Sequence, residues 1–136
     1  MSSYKVVDIE GIGETYARKL NQIEIITTMD LLEKGSSKRG RERIAAETGL
    51  PESLIITWVN HADLMRLKGV GAQTSELLEA AGVDSVKELK LRNPDNLHRK
   101  LVEINIEYGL SGKTPSLAEV VSMIEQAKEL DSINGD

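Results

Sequence analysis

The chain carries one short pattern twice. "IEGIGETYARKL", Ile9 to Leu20, returns as "LKGVGAQTSELL", Leu67 to Leu78. In each, two glycines flank one apolar residue and a helix-like segment follows. Glycine adopts positive backbone torsions at no steric cost, so such a pair suits a sharp reversal between packed helices. Ile12 and Val70 are expected to point inward and pin the turns. Ala17 and Ser75 stand where two helices approach, and Leu20 and Leu78 close the core. A helix ending at Ile9 and another starting near Glu14 would make the first hairpin.

The repeat extends well beyond the turns. A shift of 58 residues, the interval from Gly11 to Gly69, also places Val6 on Leu64, Ile9 on Leu67, Ile25 on Val83, Leu31 on Leu89 and Ile44 on Val102. Thr27 and Asp30 fall on Ser85 and Glu88, and each pair reads as a helix start with a hydroxyl cap and a carboxylate three residues on. Farther along, the interval becomes 66 residues: Leu54, Ile55, Trp58 and Leu64 match Val120, Val121, Ile124 and Leu130. The extra residues fall in "YGLSGKTPS", which Gly109, Gly112 and Pro115 mark as an exposed loop. The expected architecture is all-α: two repeats, residues 4–63 and 64–131, sharing one core, followed by a tail at 132–136.

Apolar periodicity supports helices throughout. Leu54, Ile55, Trp58, Val59, Ala62 and Met65 form a helical stripe over residues 51–67, with Pro51 suited to the first turn. Trp58 on that stripe reads as core. Asn93-Pro94 opens another segment, and Ser116 with Glu119 opens a helix running to about Leu130. "IEIITT" is too short to read as a strand. With Phe and Cys absent, the core must be aliphatic and disulfides and thiolate chemistry are excluded.

At the ends, Leu130, Ile133 and Gly135 repeat the start of a third hairpin, while the first hairpin lacks a long preceding helix. These two facts suggest that the C-terminal helix, Ser116 to Ile133, docks where that helix is missing. Docking within the chain closes a pseudo-symmetric pair. Docking between chains gives a head-to-tail or exchanged homo-oligomer.

The glycine pattern resembles the helix-hairpin-helix motif: apolar-x-Gly-apolar-Gly-x-x-x-Ala-x-x-Leu. Ile9, Gly11, Ile12, Gly13, Ala17 and Leu20 match it throughout, and the second copy departs only at Ser75. Nearly the whole chain resembles a bacterial domain-of-unknown-function family built from paired helix-hairpin-helix units. The resemblance implies a fold and no settled activity. It also implies that some relatives bind DNA without reading sequence, through hairpin amides at a helix N-terminus, and that some hold a monovalent cation at hairpin carbonyls.

Two binding readings follow. The net charge is −5, and Asp8, Glu10 and Glu14 crowd the first hairpin, so a non-catalytic module acting through protein contacts leads. The alternative is weak, sequence-independent nucleic-acid binding through the second hairpin, using Lys68, the Gly69-Val70-Gly71 amides, Gln73 and Thr74. The basic run "KGSSKRGRER" would assist with Lys38, Arg39, Arg41 and Arg43, with Arg99 and Lys100 as its thinner counterpart. A charge run is ordinarily a solvated helix face. This one works against its own helix: cations crowd the first turns after Ser36 or Ser37, and Gly40 costs about 1 kcal/mol in a helix interior. Such a conflict suggests a run kept for a phosphate or acidic partner.

Catalysis finds little support. His61 and Asp63, two apart, do not share a helix face, no His pair has metal-ligand spacing, and no nucleophile has an evident base. The expectation is a chain with no enzymatic activity, metal or cofactor. The N-terminus lacks a leader pattern and no apolar run could span a membrane, so a cytoplasmic location is expected.

Overall fold

The computed structural model describes residues 2–133. Its named elements are all helical: α1 Glu14–Gln22, α2 Thr28–Gly35, α3 Lys38–Thr48, α4 Glu52–Leu64, α5 Ala72–Ala80, α6 Val86–Leu89, α7 Pro94–Tyr108 and α8 Leu117–Ile133. A 3-10 turn at Val6–Asp8 precedes them. No strand forms among the described residues. "IEIITT" contributes one antiparallel bridge, Thr27 to Lys5. Around it the Tyr4 carbonyl accepts from the Thr28 amide at 2.7 Å, and the Ile26 carbonyl accepts from the Val6 amide at 2.9 Å.

The chain divides into two compact units, Met1–Arg66 and Leu67–Asp136. In the first, α4 packs on α2 and α3. In the second, α8 packs on α6 and α7, and α5 packs on α7. The aliphatic core expected from composition is present: Leu20, Ile25, Leu31, Ile55 and Met65 in the first unit, and Leu77, Leu78, Val83, Leu89 and Leu101 in the second, are fully enclosed.

Both Gly-apolar-Gly turns are built alike. The Ile12 amide donates to the Ile9 carbonyl at 3.1 Å, and the Val70 amide to the Leu67 carbonyl at 3.1 Å. Gly11 and Gly69, third in these four-residue turns, both have φ of +90°. A positive φ at the third position is the requirement of a type II turn, and glycine meets it without strain. Gly13 and Gly71 are extended N-caps at φ −89° and −102°, with no atom within 4 Å of an added Cβ. Only the first glycine of each pair is demanded by torsion. Gly69→Ala is therefore expected to cost about 1–2 kcal/mol in urea denaturation. Gly71→Ser should cost nothing, because its hydroxyl can cap α5. Equal losses from both would contradict this division. Ile12 and Val70 are buried as expected, as are Ala17, Ser75, Leu20 and Leu78.

The helix starts follow the sequence closely. Thr27 and Asp30 form a reciprocal capping box on α2. The Thr27 amide, then the Ile26 amide, holds the Asp30 carboxyl below its ordinary value. The Ser85 hydroxyl accepts from the Glu88 amide, and Ser116 and Glu119 exchange bonds in both directions.

Four expectations need correction. What precedes Gly11 is a single 3-10 turn and an extended Ile9, because the chain there bridges to Thr27. Pro51 is the N-cap of α4, one residue ahead of its first turn. The 109–116 loop is exposed at Gly109, Gly112, Lys113 and Ser116 as expected, but Pro115 is buried and the loop is laced down, the Asn105 amide group donating to the Ser111 carbonyl and the Thr114 hydroxyl. Finally, α8 packs on α6 and α7 of its own unit, as α4 packs on α2 and α3. Val120, Met123, Ile124 and Ala127 are buried, so the main apolar face of the C-terminal helix is covered. It continues to Ile133, into the stretch read as a tail. The third-hairpin reading at Gly135 lies outside the described residues, as do residues 134–136 of that tail.

Candidate functional site

The basic run builds the junction between α2 and α3. Ser37 is the N-cap of α3 and accepts from the Gly40 amide at 3.0 Å. Arg41 turns back and donates to the Gly35 and Ser36 carbonyls at 3.0 and 3.1 Å. A cation on the open carbonyls of a helix end is favourable, so Arg41 serves α2. Lys34 donates to the Ile23 carbonyl at 3.1 Å, closing the end of α1. A Cβ on Gly40 would stand 2.0 Å from the Lys34 carbonyl oxygen. The glycine thus permits close backbone approach, which explains without any partner why a helix interior keeps it.

Lys38, Arg39 and Arg43 remain exposed on α3. Arg39 and Arg43 line a cleft of about 750 Å³ together with Lys34 and Ser37. Ile23 and Ile44 contribute its apolar lining, and Gln22, Glu24 and Glu47 its acidic and amide lining. Glu24 is the one non-glycine residue with positive φ among the described residues, at +65°.

The second glycine turn lies in a cleft of about 490 Å³ in the other unit, lined in part by Gly69, Gly71, Gln73 and Thr74. The chain itself occupies much of this turn's bonding capacity. The Lys68 amide donates to Gln126 Oε1 at 2.9 Å, and Gln126 Nε2 donates back to the Lys68 carbonyl at 3.2 Å. Gln73 Oε1 accepts from the Gly112 amide at 3.1 Å. Lys113 pairs with Glu119 at 3.6 Å, and the Ser116 amide is the main cause holding the Glu119 carboxyl below its usual range. A carboxylate on the rim opposes a phosphate there.

The residues proposed for nucleic acid are therefore not one surface of one unit. Lys38, Arg39, Arg41 and Arg43 belong to α3, whereas Lys68 and Val70 belong to the second glycine turn and Thr74 to α5. Arg99 and Lys100 are exposed on α7. His61 is buried on α4, and His98 is half-buried on α7. Among the described residues no three His, Cys, Asp or Glu side chains cluster as metal ligands, and no helix is long and apolar enough to cross a membrane. Sequence reasoning missed Glu24, Glu47 and Gln126. The one available hint for Glu24 was its place in the 58-residue register opposite Gly82, whose φ is +91°.

An all-helical chain of two units with glycine turns defines a class by fold alone. Over residues 10–130 it matches the family described as a domain of unknown function, DUF4332, and it belongs to that family. Neither a curated protein nor a solved structure gives a match.

Proposed function

We propose that the protein is a non-catalytic binding and assembly module that acts through protein contacts, built from two copies of one helix-hairpin-helix unit. The duplication is supported by backbone detail at the same 58-residue interval. Gly11 and Gly69 share φ of +90°, and Glu24 and Gly82 share positive φ. Lys34 and its partner Arg92 each reach a carbonyl at that second turn, Ile23 and Gly82 respectively.

The observation that carries the protein-contact reading is the outward side of α7. Ile106 is 80% exposed near the end of that helix, and Tyr108, two residues on and so on a different face, is 63% exposed. Large apolar groups left in water favour covering by another surface at roughly 25 cal/mol per Å². Glu103 and Glu107 flank Ile106 and Arg99 lies about two turns back, a mixed rim that suits a protein partner better than a phosphate backbone. The hairpins support this choice, the first being ringed by acids and the second held by Gln126 and its own loop.

The test compares wild type with Ile106→Asp and with Arg39→Glu/Arg43→Glu in pull-downs from native lysate, and by light scattering. Ile106→Asp should abolish retention of a stoichiometric partner, and the arginine variant should keep it. A second copy of the chain is one such partner; exchange of α8 would require that helix to leave α6 and α7. Titration of labelled duplex at two salt concentrations addresses the nucleic-acid alternative. Binding that weakens steeply with salt and ignores Ile106→Asp would replace the protein reading.

A further inference from the structure

We infer that the cleft of the first unit is a binding site for a mononucleotide, with its phosphate on the two α3 arginines. Three features of the cleft carry this. Arg39 and Arg43 are four residues apart, so they share one face of α3, and both line the cleft. Neither makes a hydrogen bond or ion pair among the described residues, whereas Lys34, Arg41, Arg66 and Arg92 are all engaged. Two unpaired guanidinium groups on one wall offer forked donors that match phosphate oxygens.

The lining is not uniformly basic. Half-buried Ile23 gives an apolar surface for a flat ring, while Ile44 lines the cleft almost wholly buried. Gln22, Glu24 and Glu47 supply acceptors for amino or hydroxyl donors. A wall that is cationic in one part and acidic in another repels a rod of phosphates such as duplex DNA. It suits a ligand with one anionic end and hydrogen-bond donors at the other. At about 750 Å³ the cleft falls within the range typical of small-molecule sites.

The third feature is backbone strain. Glu24 holds φ of +65°, a left-handed conformation that a residue with a Cβ adopts only against steric resistance. The matching position of the second unit is glycine, Gly82. An acidic side chain kept at a torsion where glycine would be easier, and facing a cleft, is the pattern of a residue retained for binding.

The test uses the full chain, labelled with ¹⁵N and titrated with AMP, adenosine and inorganic phosphate. AMP should move the amide signals of Ile23, Glu24 and residues 37–43 saturably, at or below roughly ten-millimolar ligand. Phosphate should move only the 37–43 group, more weakly, and adenosine should not saturate. Arg39→Ser/Arg43→Ser should weaken AMP by about tenfold or more. Glu24→Gly, which relieves the strained torsion and so keeps the fold, should weaken AMP while leaving phosphate unchanged. No saturable shift with AMP overturns the inference. So does unaltered AMP affinity in the arginine variant, or phosphate binding equal to AMP, which would mark an adventitious ion only. Duplex that binds at these arginines while AMP does not overturns it as well. Ile106 plays no part here, so loss of the protein contacts and loss of this site are separately detectable.

Discussion

Gly40→Ala should destabilise the protein by about 2–4 kcal/mol, although the same change in an ordinary helix interior stabilises by about 1 kcal/mol. The sign reverses because of one contact. The added methyl would lie 2.0 Å from the Lys34 carbonyl oxygen and 3.1 Å from its carbon. Both are backbone atoms at the end of α2, so no side-chain rotation can clear them. Relief requires α3 to move away from α2. That movement would pull Ser37 from the Gly40 amide and Arg41 from the Gly35 and Ser36 carbonyls. Gly35 allows little compensation, as its own Cβ position is 2.7 Å from Val59 Cγ2 on α4. Urea denaturation followed by far-ultraviolet circular dichroism reads the loss, and hydrogen exchange should place it in residues 28–48. A Gly40→Ala protein as stable as wild type would show that the α2–α3 junction is looser than described.

The second large effect belongs to Trp58, the sole tryptophan. It is 2% exposed on α4 and meets Tyr16 of α1, ring centroids 5.2 Å apart at 51°. Its indole nitrogen would lie 3.9 Å from a Cβ on Gly11, so the same side chain borders the first glycine turn. Trp58→Ala removes the largest buried volume in the unit and should cost about 3–5 kcal/mol, with Trp58→Phe retaining much of it. Thermal unfolding by circular dichroism measures both, since the alanine variant has no tryptophan fluorescence. A Trp58→Ala loss below about 1 kcal/mol would mean the ring is peripheral to the core.

These two residues mark how far the sequence can be read. Trp58 is legible as core from its place on an apolar stripe, because helical periodicity translates directly into one face. Gly40 is legible only as an anomaly. Its explanation lies in the Lys34 carbonyl, which comes close only after α2 and α3 have packed. The same holds for the cations. "KGSSKRGRER" reads as one basic run, yet Lys34 and Arg41 bond to helix-end carbonyls while Arg39 and Arg43 line the cleft. Charge is written in the sequence, but its partner is not.

The sequence by itself determined what depends on neighbours a few residues apart: the glycine turns, the capping boxes, the helix stripes and hence the all-α class. Each is set by torsional preference or by bonds between residues three or four apart, and those do not wait for a fold. Only tertiary structure decided where the carbonyl ends of helices meet cations, which amides Gln126 and the 109–116 loop take up, that α8 packs on α6 and α7, and that Glu24 lines the same cleft as Arg39 and Arg43. These are contacts between segments distant along the chain, and their geometry exists only once the helices have packed.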